Sequence, residues 1–76
     1  MTTNNSEEIK NSIYRFNEML KTNFVYFFDV KEFQNISEYY LSIGEIQLSK
    51  KAISMGLSQH PNNLDLLLIK IEHLIL

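Results

Sequence analysis

Residues 30–63 read VKEFQNISEYYLSIGEIQLSKKAISMGLSQHPNN, and this stretch decides the fold. Asp29 stands just before it with Glu32 three residues on, the spacing at which an N-cap carboxylate and an N3 glutamate satisfy each other's backbone donors. Phe33, Ile36, Tyr40 and Ile43 follow at steps of three and four, so they share one helix face, bordered by Val30 and Leu41. Gly44 interrupts the pattern and can take the left-handed conformation that closes a helix. Helical spacing resumes at Ile46, Ser49, Ile53, Gly56 and Leu57, with Leu48, Ala52 and Met55 adding apolar contacts. It stops at His60–Pro61–Asn62–Asn63, because proline drives its predecessor out of the helical region. Ser49, Ala52 and Gly56 are small side chains on a helix that must lie close to a neighbour. The stretch therefore reads as two antiparallel helices, over 30–43 and 46–59.

Upstream, Ile9, Ile13, Phe16 and Leu20 also recur at helical steps, widened by Tyr14, Met19 and Phe24, and predict a first helix over 6–25. Asn5 or Ser6 is its cap, Asn5 having capping-box spacing to Glu8; Met1–Asn5 is polar and aperiodic, as a frayed tail would be. Phe24–Val25–Tyr26–Phe27–Phe28 is strand-like in composition. No second strand candidate exists to satisfy its backbone groups, so it reads as the end of the first helix and a tightly packed connector. Downstream, Asn62 with Asp65, or Asn63 alone, can cap a fourth helix over 63–75. Leu64, Leu67, Leu68, Ile71, Leu74 and Ile75 cover one side of that helix, while Leu66, Ile69 and Leu76 spread beyond it. The chain is expected to be all-α, one domain over 1–76 with four helices.

The 34 residues of Val30–Asn63 resemble a tetratricopeptide repeat. Phe33 matches the large residue early in the family's first helix, Ile36 and Ser37 the aliphatic and small residues one turn on, Tyr40 the aromatic near its end, and Gly44 the turn glycine. In the second helix Ser49, Ile53, Gly56 and Pro61 match the small, large, small and closing-proline positions. Ser37 stands where glycine is usual and Ser49 where alanine is, but both remain small. With Phe28–Asp29–Val30 in front, the chain looks most like short tetratricopeptide proteins of Bacteroidetes. The resemblance implies antiparallel hairpins stacked right-handed: 6–29 as a capping helix and connector, 30–63 as one complete repeat, 64–76 as the first helix of an incomplete one with Leu67, Ile71 and Leu74 in packing positions. It implies a scaffold or protein-interaction module whose groove face is Lys31, Gln34, Glu38 and Leu41. Where the family clamps a peptide carboxylate with Lys and Asn, this chain has Gln34 and Glu38, which disfavours that mode.

The final helix is apolar around much of its circumference, and each large side chain left exposed forgoes about 1.5–3 kcal/mol. Leu64, Leu67, Leu68, Ile71, Leu74 and Ile75 are therefore expected to associate with another chain, most simply in a homodimer; the alternative is a terminal fragment of a longer helical array with no ligand of its own.

Other functions find little support. Five Phe and four Tyr give a small core large apolar surfaces, while the absence of Cys excludes disulfides and thiolate metal sites. A net charge of −2, with Lys50–Lys51 the one adjacent basic pair, offers no footprint for nucleic acid. The start MTTNNSEEIK lacks the features of a secretory signal, and the apolar runs at 66–69 and 74–76 fall far short of the roughly 20 residues that span a bilayer, so a cytoplasmic location is expected. His60 and His73 fall on different elements, His60 near a helix C-terminus and His73 expected to face water beside Glu72. Neither has partners for metal or acid–base chemistry. Glu7 with Glu8, or Glu45 with Asp65, make no paired-carboxylate site, and Ser37, Ser42, Ser49, Ser54 and Ser58 lack a positioned base. Tyr26, Tyr39 and Tyr40 are packing residues first, Tyr40 in the core. No enzyme activity, cofactor or metal is expected.

Overall fold

In the computed structural model, which describes residues 5–76, the chain forms four helices: α1 Asn5–Thr22, α2 Val30–Ser42, α3 Ile46–Gln59 and α4 Leu64–His73. The described residues contain no strand, and the chain is all-α. Consecutive helices pack on one another, with α2 between α1 and α3 and α4 against α3. The tail expected over Met1–Asn5 and the cap expected from the Asn5 side chain lie outside what is described.

The α2–α3 hairpin follows its local signals closely. Asp29 Oδ1 accepts the Glu32 amide at 2.7 Å and the Asp29 amide returns to Glu32 Oε1 at 3.0 Å, completing the capping box. At the other end Gly44 adopts φ 81°, and Glu45 N–H donates to the Tyr40 carbonyl at 2.8 Å, so the turn absorbs carbonyls that α2 leaves open. Phe33, Ile36 and Tyr40 of α2 bury against Ala52 and Ile53 of α3. Ile43, expected on this face, is the C-cap residue and is exposed.

Small residues set the spacing. A Cβ on Gly56 would lie 3.0 Å from Phe33 Cγ and 3.1 Å from Leu66 Cδ1, so α2 and α4 both close down on its bare Cα. Ser37 and Ser49 are buried face to face, with hydroxyl oxygens 2.8 Å apart, and the Ser49 hydroxyl donates to the Ser37 carbonyl at 2.8 Å. The buried hydroxyls thereby satisfy one another, which removes most of the cost of burying them.

On the far side of α2, Phe16 and Met19 of α1 join the core. A polar clasp seals this contact: Glu32 accepts from the buried Ser12 hydroxyl at 2.9 Å and pairs with Arg15, whose guanidinium carbon sits 4.6 Å over the Phe28 ring. Partial burial pushes the Glu32 carboxyl upward, but the Asp29 amide, Ser12 and Arg15 together hold it below its ordinary value. The Tyr40 hydroxyl, raised above its ordinary range chiefly by burial, donates to Asn17 Oδ1.

Two expectations are corrected here. α1 stops at Thr22 rather than 25, because Asn23 turns to φ 64° and its amide closes on the Met19 carbonyl at 3.1 Å; Asn tolerates that left-handed geometry better than most residues. The segment that follows is neither helix nor tightly packed, for Phe24, Val25 and Phe27 are 69%, 82% and 69% exposed while Phe28 alone is fully buried.

Candidate interaction surfaces

α4 is where the structure departs most from the sequence reading. Asn63, not Asn62, caps it, accepting the Leu66 amide at 3.0 Å. The residue that enters the core is Leu66, fully buried, with Ile69 packed beside it and His73 buried one turn further on. Leu67, Ile71 and Leu74 were the expected packing positions; Leu67 is half-buried and Ile71 and Leu74 are exposed. At 100° per residue Leu66, Ile69 and His73 occupy one side of the helix, and Leu64, Leu68 and Ile71 fall within about 60° on the opposite side. Asp65 and Glu72 separate the two stripes along one flank and Lys70 along the other.

The outer stripe is open to solvent. Leu64, Leu68 and Ile71 are 59–74% exposed, and Leu74 and Ile75 continue the apolar surface beyond the last helical turn. Of the six residues expected to self-associate, Leu64, Leu68, Ile71, Leu74 and Ile75 are thus open to a partner, whereas Leu67 is partly used within the chain.

His73, expected to face water, is instead buried against α3, next to Ser49. Its Nε2 lies 3.4 Å from Ser49 Oγ. Since the Ser49 hydrogen goes to the Ser37 carbonyl, a contact between the two is served by His73 carrying hydrogen on Nε2. Burial first, and Lys50 second, hold the imidazole below its ordinary value, against the opposing pull of Glu72. Although Ser49 and His73 are neighbours, Ser49 is fully enclosed and its hydroxyl already donates inward, so the pair offers no nucleophile to solvent. Among the described residues, no group of three His, Asp or Glu side chains could hold a metal ion.

The four residues expected on a groove face lie on one wall of a cleft whose second wall is α4. Lys31, Gln34, Glu38 and Leu41 line one side of a cleft of about 400 Å³, and Ile69, Glu72 and the chain end line the other. Ser37 and His73, both buried, lie at its base. Glu38 and Glu72 face this cleft with Lys31 as the one lysine or arginine among its lining residues, so its field does not invite a carboxylate.

The sequence reading gave His60 only a favourable place near a helix end. In the structure its Nε2 is 2.8 Å from the Phe28 carbonyl, and its ring packs between Phe27 and Phe33 at centroid distances of 5.3 and 6.1 Å. Gln59 works beside it, donating from Nε2 to the Tyr26 carbonyl at 2.8 Å and accepting the Phe28 amide at 3.0 Å. No pattern in the sequence could reveal these contacts, which join residues more than 30 positions apart.

No family model matches this chain, and neither a curated protein nor a solved structure matches it. No helix of the described residues is long and apolar enough to cross a membrane.

Proposed function

We propose that this chain is a protein-interaction module of the tetratricopeptide type that self-associates through the outer face of α4. One observation carries the reading: α4 buries Leu66 and His73 against α3 yet turns Leu64, Leu68 and Ile71 outward. Exposed apolar residues are ordinary when scattered, but a contiguous stripe flanked by charge marks a contact surface. A second copy supplies the same stripe, so a two-fold interface covers both at once. The repeat-like spacing of Val30–Asn63 supports the module reading, and the cleft between α2 and α4 gives it a second wall for a protein segment.

Light scattering and sedimentation across a concentration series test the proposal. A dimer is expected at micromolar concentration, reverting to monomer in Leu68→Asp and Ile71→Asp, both of which change exposed residues and leave the core intact. A monomer at high micromolar concentration would overturn self-association and favour the alternative of a structural piece whose stripe is covered by a further helix.

A further inference from the structure

α4 carries charge of opposite sign on its two flanks. At 100° per residue Asp65 and Glu72 stand about 80° to one side of the midline of the Leu64–Leu68–Ile71 stripe, and Lys70 about 130° to the other, an angle that its four-carbon stem spans. All three are exposed. The surroundings extend the asymmetry. The acidic flank opens on the cleft shared with α2, where Glu38 and Lys31 offset each other and Glu72 remains. The basic flank opens on a smaller hollow of about 200 Å³ against α3, where Lys50 joins Lys70 and none of the described residues that line it is acidic.

Such a face is complementary to itself in one sense only. A two-fold axis running along α4 carries each flank to the opposite side of the second copy, so the acidic flank of either chain meets the basic flank of the other, twice. A two-fold axis running across α4 keeps each flank on its own side. Asp65 of one copy then falls opposite Glu72 of the other, again twice, and the lysine flanks oppose each other as well. Where helices pack along an apolar seam, flanking charges choose between the two orientations, and like charges set opposite one another count against an interface. The seam itself suits either sense, since Leu64, Leu68, Ile71 and Ile75 recur at steps of four, three and four. Charge is therefore what separates them.

We propose that two copies of this chain pack α4 on α4 in parallel about a two-fold axis along the helices, with Leu64, Leu68 and Ile71 each meeting its own counterpart and the Glu72 flank of either copy meeting the Lys70 flank of the other. This arrangement rests on the α4 self-association proposed above and adds the sense in which the copies meet. The two His60–Asn63 turns then lie at one end of the dimer, and Lys70 of each copy stands at the rim of the acidic cleft of the other. Opposite signs on the two flanks favour a second copy over an unrelated helix, because the two-fold supplies both counter-charges from the same sequence.

The chain has no Cys, so introduced cysteines report the sense directly. In the parallel pair Leu64→Cys faces its own counterpart and should oxidise to a covalent dimer in a glutathione redox buffer. Leu64 of one copy and Ile75 of the other are then about 16 Å apart along the helices, beyond the roughly 4–7 Å between α-carbons that a disulfide spans, so Leu64→Cys mixed with Ile75→Cys should give no mixed link by mass spectrometry. Both positions are exposed, and circular dichroism checks that the variants keep their helices. Sedimentation gives a second reading: Glu72→Lys and Lys70→Glu should each weaken the dimer roughly two- to fivefold, and the two combined should recover most of the loss. A mixed link without the Leu64→Cys dimer, or tighter association of Glu72→Lys, overturns the parallel sense and leaves self-association standing. A natural chain that stays monomeric by light scattering at high micromolar concentration overturns both.

Discussion

The α2–α3 hairpin and α4 dispose of their apolar side chains in opposite ways. In the hairpin the large residues Phe33, Ile36 and Ile53 vanish into the interior, and the small ones, Ser37, Ser49 and Gly56, let the backbones approach. In α4 a single leucine is fully buried, a histidine takes the next inward place, and Leu64, Leu68 and Ile71 point outward. The contrast separates two uses of hydrophobicity. The hairpin spends it on its own stability, whereas α4 needs little of it to dock and leaves the rest as a surface.

Truncation tests that division most severely. Phe33→Ala removes a fully buried ring that touches Phe28, His60 and the Gly56 backbone, and should cost about 3–5 kcal/mol in urea unfolding. For a domain this small that is a large part of the total. The counterpart, Leu68→Ser on the outer stripe, should move the stability of the isolated monomer by less than about 0.5 kcal/mol while weakening association. Equal effects at the two sites would erase the distinction.

Gly56→Ala probes the seam between the regions. A methyl group there relieves backbone entropy by about 1 kcal/mol, but it meets Phe33 and Leu66 at 3.0–3.2 Å, and overpacking costs about 1–3 kcal/mol. Because a ring and a leucine inside a close-packed core have little room to retreat, a net loss of about 1 kcal/mol is expected in thermal or urea unfolding.

A subtler effect belongs to His73. The fold holds its imidazole below the ordinary value of 6.5, so the unfolded chain binds the proton more readily than the folded one. The stability from burying neutral His73 is therefore present above about pH 6.5 and lost as pH falls through that value toward the folded one. Melting temperature should decline between about pH 7.5 and 5.5, and His73→Gln should flatten the slope. The window lies above the range where Glu32 matters, since that carboxyl is held below 4.5 and its contribution is lost only at more acidic pH. Lys50 on α3 opposes the charged imidazole and Glu72 favours it, so Lys50→Gln should make the slope shallower.

The sequence by itself determined the hairpin. Asp29 with Glu32, Gly44 and Pro61 each act within one helical turn, so the bounds of Ile46–Gln59 and the start at Val30 could be read without knowing any distant contact. The core roles of Phe33, Ile36, Tyr40, Ser49 and Gly56 followed from periodicity and size. The stop at Thr22 was within reach too, since Asn23 is a residue that accepts a left-handed C-terminal position, but the apolar run behind it obscured the signal.

Tertiary structure alone decided the rest. Leu64–Leu76 is apolar on nearly every face, so its periodicity carries no phase, and the choice of Leu66 and His73 as inward residues was made by the space above Gly56 and beside Ser49. Composition also left residues 24–28 between helix and strand; Gln59 and His60, brought there by α3, resolved it by taking up the backbone hydrogen bonds of Tyr26 and Phe28. Signals that act through neighbouring residues can be read along a chain, whereas a face is selected only when another element arrives to fill it.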